Sequence, residues 1–188
     1  MSSSSNQNND ISLAVQLQQD GPTLRLNYQV SNLSDRTAYL FDVLHDEFNG
    51  SVFPLVEASY ATIEQGQLVF SRQIVDVPEG MLLEGFNIPF VTPVRPGRTI
   101  KKSILQPQPV YPWTAYIDRD DFPPAQGVLD MNAYFRIGYF MEAQGTSELA
   151  RVAETDNGSH PYFDPFPIES QKYLMTGPLG TVRVYDLG

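Results

Sequence analysis

The sequence predicts an all-β protein: an antiparallel β-sandwich with long proline- and aromatic-rich loops and little helix. Three observations carry that expectation. Leu24, Leu26, Tyr28 and Val30 alternate with Arg25, Asn27, Gln29 and Ser31, the period-two pattern of a strand with one dry and one wet face. Turn formers such as Asp20-Gly21-Pro22 and Arg95-Pro96-Gly97-Arg98 separate runs of this kind. Helix signals are confined to residues 147–154.

Each element follows from local chemistry. Residues 11–18 alternate through Leu13, Val15 and Leu17 and read as a first strand, which Asp20-Gly21-Pro22 turns into the second. A polar turn at 32–36 leads to a strand through Tyr39, Phe41 and Val43. Residues 48–60 are irregular, with a turn at Asn49-Gly50 and an interruption at Pro54. Gln65-Gly66 opens a strand over 68–77 that Pro78-Glu79-Gly80 ends. Residues 88–94 and 99–105 flank Arg95-Pro96-Gly97-Arg98, where Pro at the second and Gly at the third position favour a type II turn. The longest strand is expected over 131–143. Phe135, Ile137, Tyr139 and Met141 share one face and Tyr134, Arg136, Gly138 and Phe140 the other, so it is either a central strand covered on both sides or an edge meeting a partner. Residues 147–154 suit one or two helical turns behind Ser147, and 148–152 suit a short strand equally well. Residues 181–185 close the chain with Val182 and Val184 inward.

A seven-stranded sandwich needs only about 100 residues, so a chain of 188 is expected to form one elaborated domain over 11–188. The polar, low-complexity residues 1–10 are expected to be a mobile tail. With 22 acidic against 12 basic residues the net charge is −10, and Lys101-Lys102 is the only adjacent basic pair, so nucleic acid is not an expected partner. The absence of cysteine excludes disulfides, thiolate zinc sites and Cys nucleophiles without assigning a compartment. No apolar run reaches the ~20 residues of a membrane span. The first residues also lack the basic and apolar regions of a signal peptide. The expected location is cytoplasmic; removal of a leader segment would make it periplasmic or lipid-anchored.

Two stretches carry a resemblance. Tyr28-Gln29-Val30-Ser31-Asn32-Leu33-Ser34-Asp35, and later Val94-Arg95-Pro96-Gly97-Arg98-Thr99-Ile100, resemble bacterial immunoglobulin-like and fibronectin-type sandwiches. There a strand commonly ends in Val-x-Asn-x-Ser/Asp and a Pro-Gly turn opens a later one. The chain is also faintly similar to the intracellular proteinase-inhibitor family of that fold. The resemblance implies an immunoglobulin-like topology of bacterial type; a shared fold implies no activity.

Candidate chemistry is sparse. His45-Asp46-Glu47, with His160, contains ligand types that zinc accepts, but no spacing requires a site. Asp118-Arg119-Asp120-Asp121 and Asp156-Asn157-Gly158-Ser159, with Asp164 nearby, offer loop oxygens of the kind calcium prefers, yet they lack the spaced loop frame and read as solvated turns. No metal and no cofactor is expected. The sequence has no Gly-x-Ser-x-Gly elbow, Gly-rich phosphate loop or His-Glu-x-x-His motif. Asn32, Asn49 and Asn157 begin Asn-x-Ser sequons, which matter only in a secreted eukaryotic chain.

The remaining candidates sit in two long segments without periodicity, 106–128 and 155–170. Tyr111, Trp113 and Tyr116 from the first, with Tyr162, Phe163 and Phe166 from the second, are the expected binding residues, because planar rings on proline-stiffened loops anchor protein contacts or stack on sugars. The competing expectation is that these rings fold back and cap the sandwich. The function expected is that of a non-catalytic protein–protein interaction, self-association or structural module. The alternative is a carbohydrate-binding module using the exposed rings, and the third reading is an enzyme with a carboxylate site assembled from loops.

Overall fold

The computed structural model describes residues 1–81, 87–117 and 123–188, and its chain is all-β, with a mixed sheet, a four-stranded antiparallel sheet and a two-stranded antiparallel pair among these residues. Strands β1 (Ser2–Gln7), β2 (Ile11–Asp20), β3 (Thr23–Asn32) and β8 (Thr99–Pro107) form the antiparallel sheet in the order β1-β2-β3-β8. The mixed sheet runs β5-β6-β9-β4-β7. It is built from β4 (Ala38–Val43), β5 (Tyr60–Glu64), β6 (Gln67–Arg72), β7 (Phe90–Val94) and the 15-residue β9 (Gly127–Met141). Strands β12 (Lys172–Thr176) and β13 (Thr181–Asp186) also pair with β9, while β10 (Arg151–Thr155) and β11 (Gly158–Tyr162) make a separate hairpin. One helical turn, α1 (Thr146–Leu149), precedes β10.

Alternation decides which side chains fill the core. Leu13, Val15, Leu24, Leu26, Tyr28 and Val30 from the first sheet join Leu40, Phe70, Phe135, Ile137 and Tyr139 from the second in one buried cluster. The rings of Tyr28 and Phe135 stack across the gap at 5.2 Å. Burying a large apolar side chain contributes about 1.5–3 kcal/mol, so this shared layer is what binds the two sheets to each other. The outer face of the mixed sheet has its own cover: Phe163, with Phe166 and Ile168, packs on Tyr39, Phe41 and Phe140. β9 is therefore covered on both faces toward its C-terminal end.

Several expectations are revised. Residues 2–7 are not a loose tail but pair with β2 along the whole of β1, because backbone hydrogen bonds need no apolar side chain. Ser4 shares a 2.8 Å hydrogen bond with Thr176 Oγ1, and Asn6 Nδ2 donates to Met175 O, which ties β1 to β12. Strand β6 stops at Arg72 rather than near 77. Beyond it the Gln171 side chain replaces a neighbouring strand: Ile74 N–H donates to its Oε1 at 2.8 Å and its Nε2 donates to Ile74 O at 3.1 Å. Gly138 makes room for this clamp, since a Cβ there would lie 2.3 Å from Gln171 Oε1 and 2.7 Å from Gln73 Cβ. Residues 155–170, expected to be irregular, contain β11.

The turns follow their residues. Gln65 and Gly66 both take positive φ, as a two-residue hairpin between β5 and β6 requires. Gly97 has φ +66, and Arg98 N–H donates to Arg95 O at 3.0 Å, as a type II turn demands. Asn32, only 2 % exposed, holds that turn to the preceding one. Its Nδ2 donates to Arg36 O and Val94 O, both at 2.7 Å, and its Oδ1 accepts from Ser34 N–H and Oγ.

Candidate functional site

The six aromatic candidates do not assemble into one exposed platform. Trp113 is 7 % exposed and meets Tyr60 edge-on, with ring centres 5.1 Å apart, while its backbone pairs with Ala61. Tyr116 is half-buried against the same core, and its hydroxyl accepts Asn87 N–H; burial pushes its pKa up. Tyr111 packs on Tyr185 and donates its hydroxyl to Pro123 O. Phe163 is 4 % exposed between Tyr39 and Phe140. Phe166 packs against Phe41 and Phe140, and Tyr162 against Phe90. The rings serve as covers for sheet edges and faces. Residues 118–121 of the acidic loop and Phe122 lie outside the described residues.

Among the described residues, no strand pairs with the outer edge of β8. Its partner is β3, with Lys101 opposite Gln29 and Ser103 opposite Asn27. Backbone bonds at the two ends fix the phase: Asn32 N–H donates to Arg98 O, and Gln108 N–H donates to Pro22 O. Even-numbered residues of β8 therefore bond to β3, and Lys101, Ser103 and Leu105 turn their N–H and C=O groups to the open side. Among the described residues no backbone group takes them up. From Asn87 to Ile117 the sequence holds four basic residues, Arg95, Arg98, Lys101 and Lys102, and no acidic one, in a chain of net charge −10.

Beside this edge lies an open cleft of about 620 Å³ between β8 and the segment 55–57. Leu44, Leu55, Val56 and Leu105 supply apolar wall, and Arg25, Arg72, Lys102 and His160 supply polar groups. Its floor is a charged network. Asp42, fully buried in β4, accepts from Tyr28 Oη at 2.7 Å, from Thr92 Oγ1 at 2.6 Å and from Lys102 Nζ at 2.8 Å. Burial, and then the Asp42 charge, hold the Tyr28 phenol well above its ordinary pKa, so it stays a donor. Arg72 Nη1 donates to Asp42 O at 2.6 Å, and its Nη2 donates to Glu57 O. No spacing rule would have brought these residues together. The signal in the sequence is a charge inside an apolar run: Asp42 within Ala38–Val43 and Arg72 at the end of Gln67–Arg72.

Lys172 beside Asp10, and Arg136 beside Glu64, hold those carboxyls below their usual range. His45 stacks on Phe90 at 4.0 Å, and its ring nitrogens contact Asp46 O and Ile88 O. Among the described residues no three His, Asp or Glu side chains converge as metal ligands. No helix among them is long and apolar enough to cross a membrane. No family model matches the chain, and neither a curated protein nor a solved structure matches it significantly.

Proposed function

We propose that this chain is a non-catalytic protein-interaction module which takes an extended, acidic segment of a partner protein along the open edge of β8. The observation that carries this reading is the row of backbone groups at Lys101, Ser103 and Leu105 that no backbone partner takes up among the described residues, beside a cleft of about 620 Å³. Main-chain pairing supplies affinity in such docking, and the basic, acid-free run around β8 selects the sign of the partner's charge. The expected immunoglobulin-like sandwich would be the rigid frame behind the edge. The aromatic loops then stiffen the frame and do not form the contact.

A displayed library of random ten-residue peptides, selected against the folded chain, tests this. Selected peptides should be rich in Asp and Glu, should shift the amide resonances of Lys101, Ser103 and Leu105, and should lose binding to Ser103→Pro. That substitution removes an outward N–H from an edge strand, where proline is tolerated. Selection of no peptide, or of peptides that map away from β8, would overturn the proposal.

A further inference from the structure

We infer that the cleft beside β8 contains a carboxylate receptor formed by Arg72 and His160, which receives an acidic side chain or free terminus of the docked segment. The occupant rests on the strand-addition reading; the receptor itself rests on its own geometry. Arg72 is 8 % exposed, and both its terminal nitrogens donate to backbone carbonyls, those of Asp42, Val56, Glu57 and Ala58. Its Nε–H is buried without a hydrogen-bond partner, and so is His160 Nε2. Both residues line the same cleft.

Orphaned buried polar atoms are rare because each costs desolvation without return. Two of them, on side chains that line one cleft and can donate to an anion, mark a place where an acceptor is missing. Among the described residues no carboxylate forms an ion pair with Arg72: the nearby Asp42 carboxylate is already taken by Tyr28, Thr92 and Lys102. A buried guanidinium whose hydrogen-bond acceptors, among the described residues, are all backbone carbonyls favours an anion over a neutral group. Of the three acids at the cleft, Asp42 is engaged as described, while Glu57 and Asp156 are exposed and Asp156 Oδ1 already accepts Leu55 N–H. Water screens them, whereas Arg72 and His160 would act by contact.

The Nε–H resonance of Arg72 gives a direct readout in the full chain. Three synthetic probes are titrated: Ac-Thr-Val-Glu-Val-Thr-NH2, its Gln counterpart with an amide end, and the Gln counterpart with a free C-terminus. The Arg72 Nε–H should shift saturably with a carboxylate-bearing probe and not with the neutral one. Which acid acts tells whether a side chain or a terminus is received. His160→Ala should weaken that binding by about tenfold, the loss of one charge-assisted hydrogen bond, and it avoids removing Arg72 from its carbonyl ties. Sodium propionate, too short to pair as a strand, tests the receptor alone. A saturable Arg72 shift with propionate while no peptide moves the β8 amides would sustain the receptor and sink the strand reading. An Arg72 resonance unmoved by any carboxylate, or moved equally by the neutral peptide, would overturn the receptor.

Discussion

Tyr28 of β3 donates its phenolic hydrogen to Asp42 of β4 at 2.7 Å, a bond that crosses from one sheet to the other through the dry core. Its acceptor is a carboxylate with no exposure at all. Tyr28→Phe removes the donor and keeps the ring against Phe135. Leaving a charged acceptor one partner short costs about 1–3 kcal/mol, so urea unfolding should show a lower midpoint with an unchanged slope. An unchanged midpoint would mean that Lys102 and Thr92 satisfy Asp42 without it.

Trp113→Ala is expected to act on stability, because the indole is packed against Tyr60 in the main core. Truncating a buried aromatic of this size costs about 3–5 kcal/mol. Thermal melting of the variant beside wild type measures it. A near-neutral variant would return the indole to the surface and revive the aromatic platform.

Gly138→Ala should break the Gln171 clamp on Ile74, since the added methyl would sit where Gln171 Oε1 now lies. Overpacking of this kind costs about 1–3 kcal/mol. Hydrogen exchange gives the local signature: the Ile74 amide should lose protection while amides of β2 and β3 keep theirs.

Acid should weaken the fold through Asp10 and Glu64. Both carboxyls are held low, by hydrogen bonds from Lys172 and Arg136 respectively. A depressed native pKa means that the unfolded chain binds more protons in that window, so stability rises with pH there. The contribution is complete above about pH 5, beyond the unfolded carboxyl range, and is lost as pH falls through the depressed values. The Asp10→Asn/Glu64→Gln variant should show a shallower loss of unfolding free energy between about pH 5 and pH 2. Parallel curves for the two proteins would remove these pairs from the account.

Much of the frame was legible because one-sided burial writes itself as alternation. β2, β3 and β13 follow that pattern, and Asn32 followed by Ser34 marks the turn that its side chain goes on to organise. β1 was illegible because serine alternating with serine carries no hydrophobic signal, although Ser2 and Ser4 are half-buried while Ser3 and Ser5 are exposed. The parallel pairing of β6 with β9 is a choice between distant segments that neither segment announces. The aromatic loops were visible as unusual, but ring-rich sequence does not say whether the rings turn outward or back onto Tyr39, Phe41 and Tyr60. The open side of β8 was beyond reach for the same reason. Lys101-Lys102 stood out as a charge pair, but an edge exists only once the sheet order is known.

Ser2 and Asn6 donate to Leu179 and Met175, and Ser4 accepts from Thr176, so the first strand is tied to the last ones as well as to β2. During synthesis β1 can pair with β2 at once, whereas these three ties wait for residues 169 to 177 positions further along the chain. Contacts this distant in the chain are the kind that form late in folding. Until β12 and β13 emerge, one whole side of β9 stays unpaired, and that interval is when a nascent copy is most exposed to its neighbours on the same message.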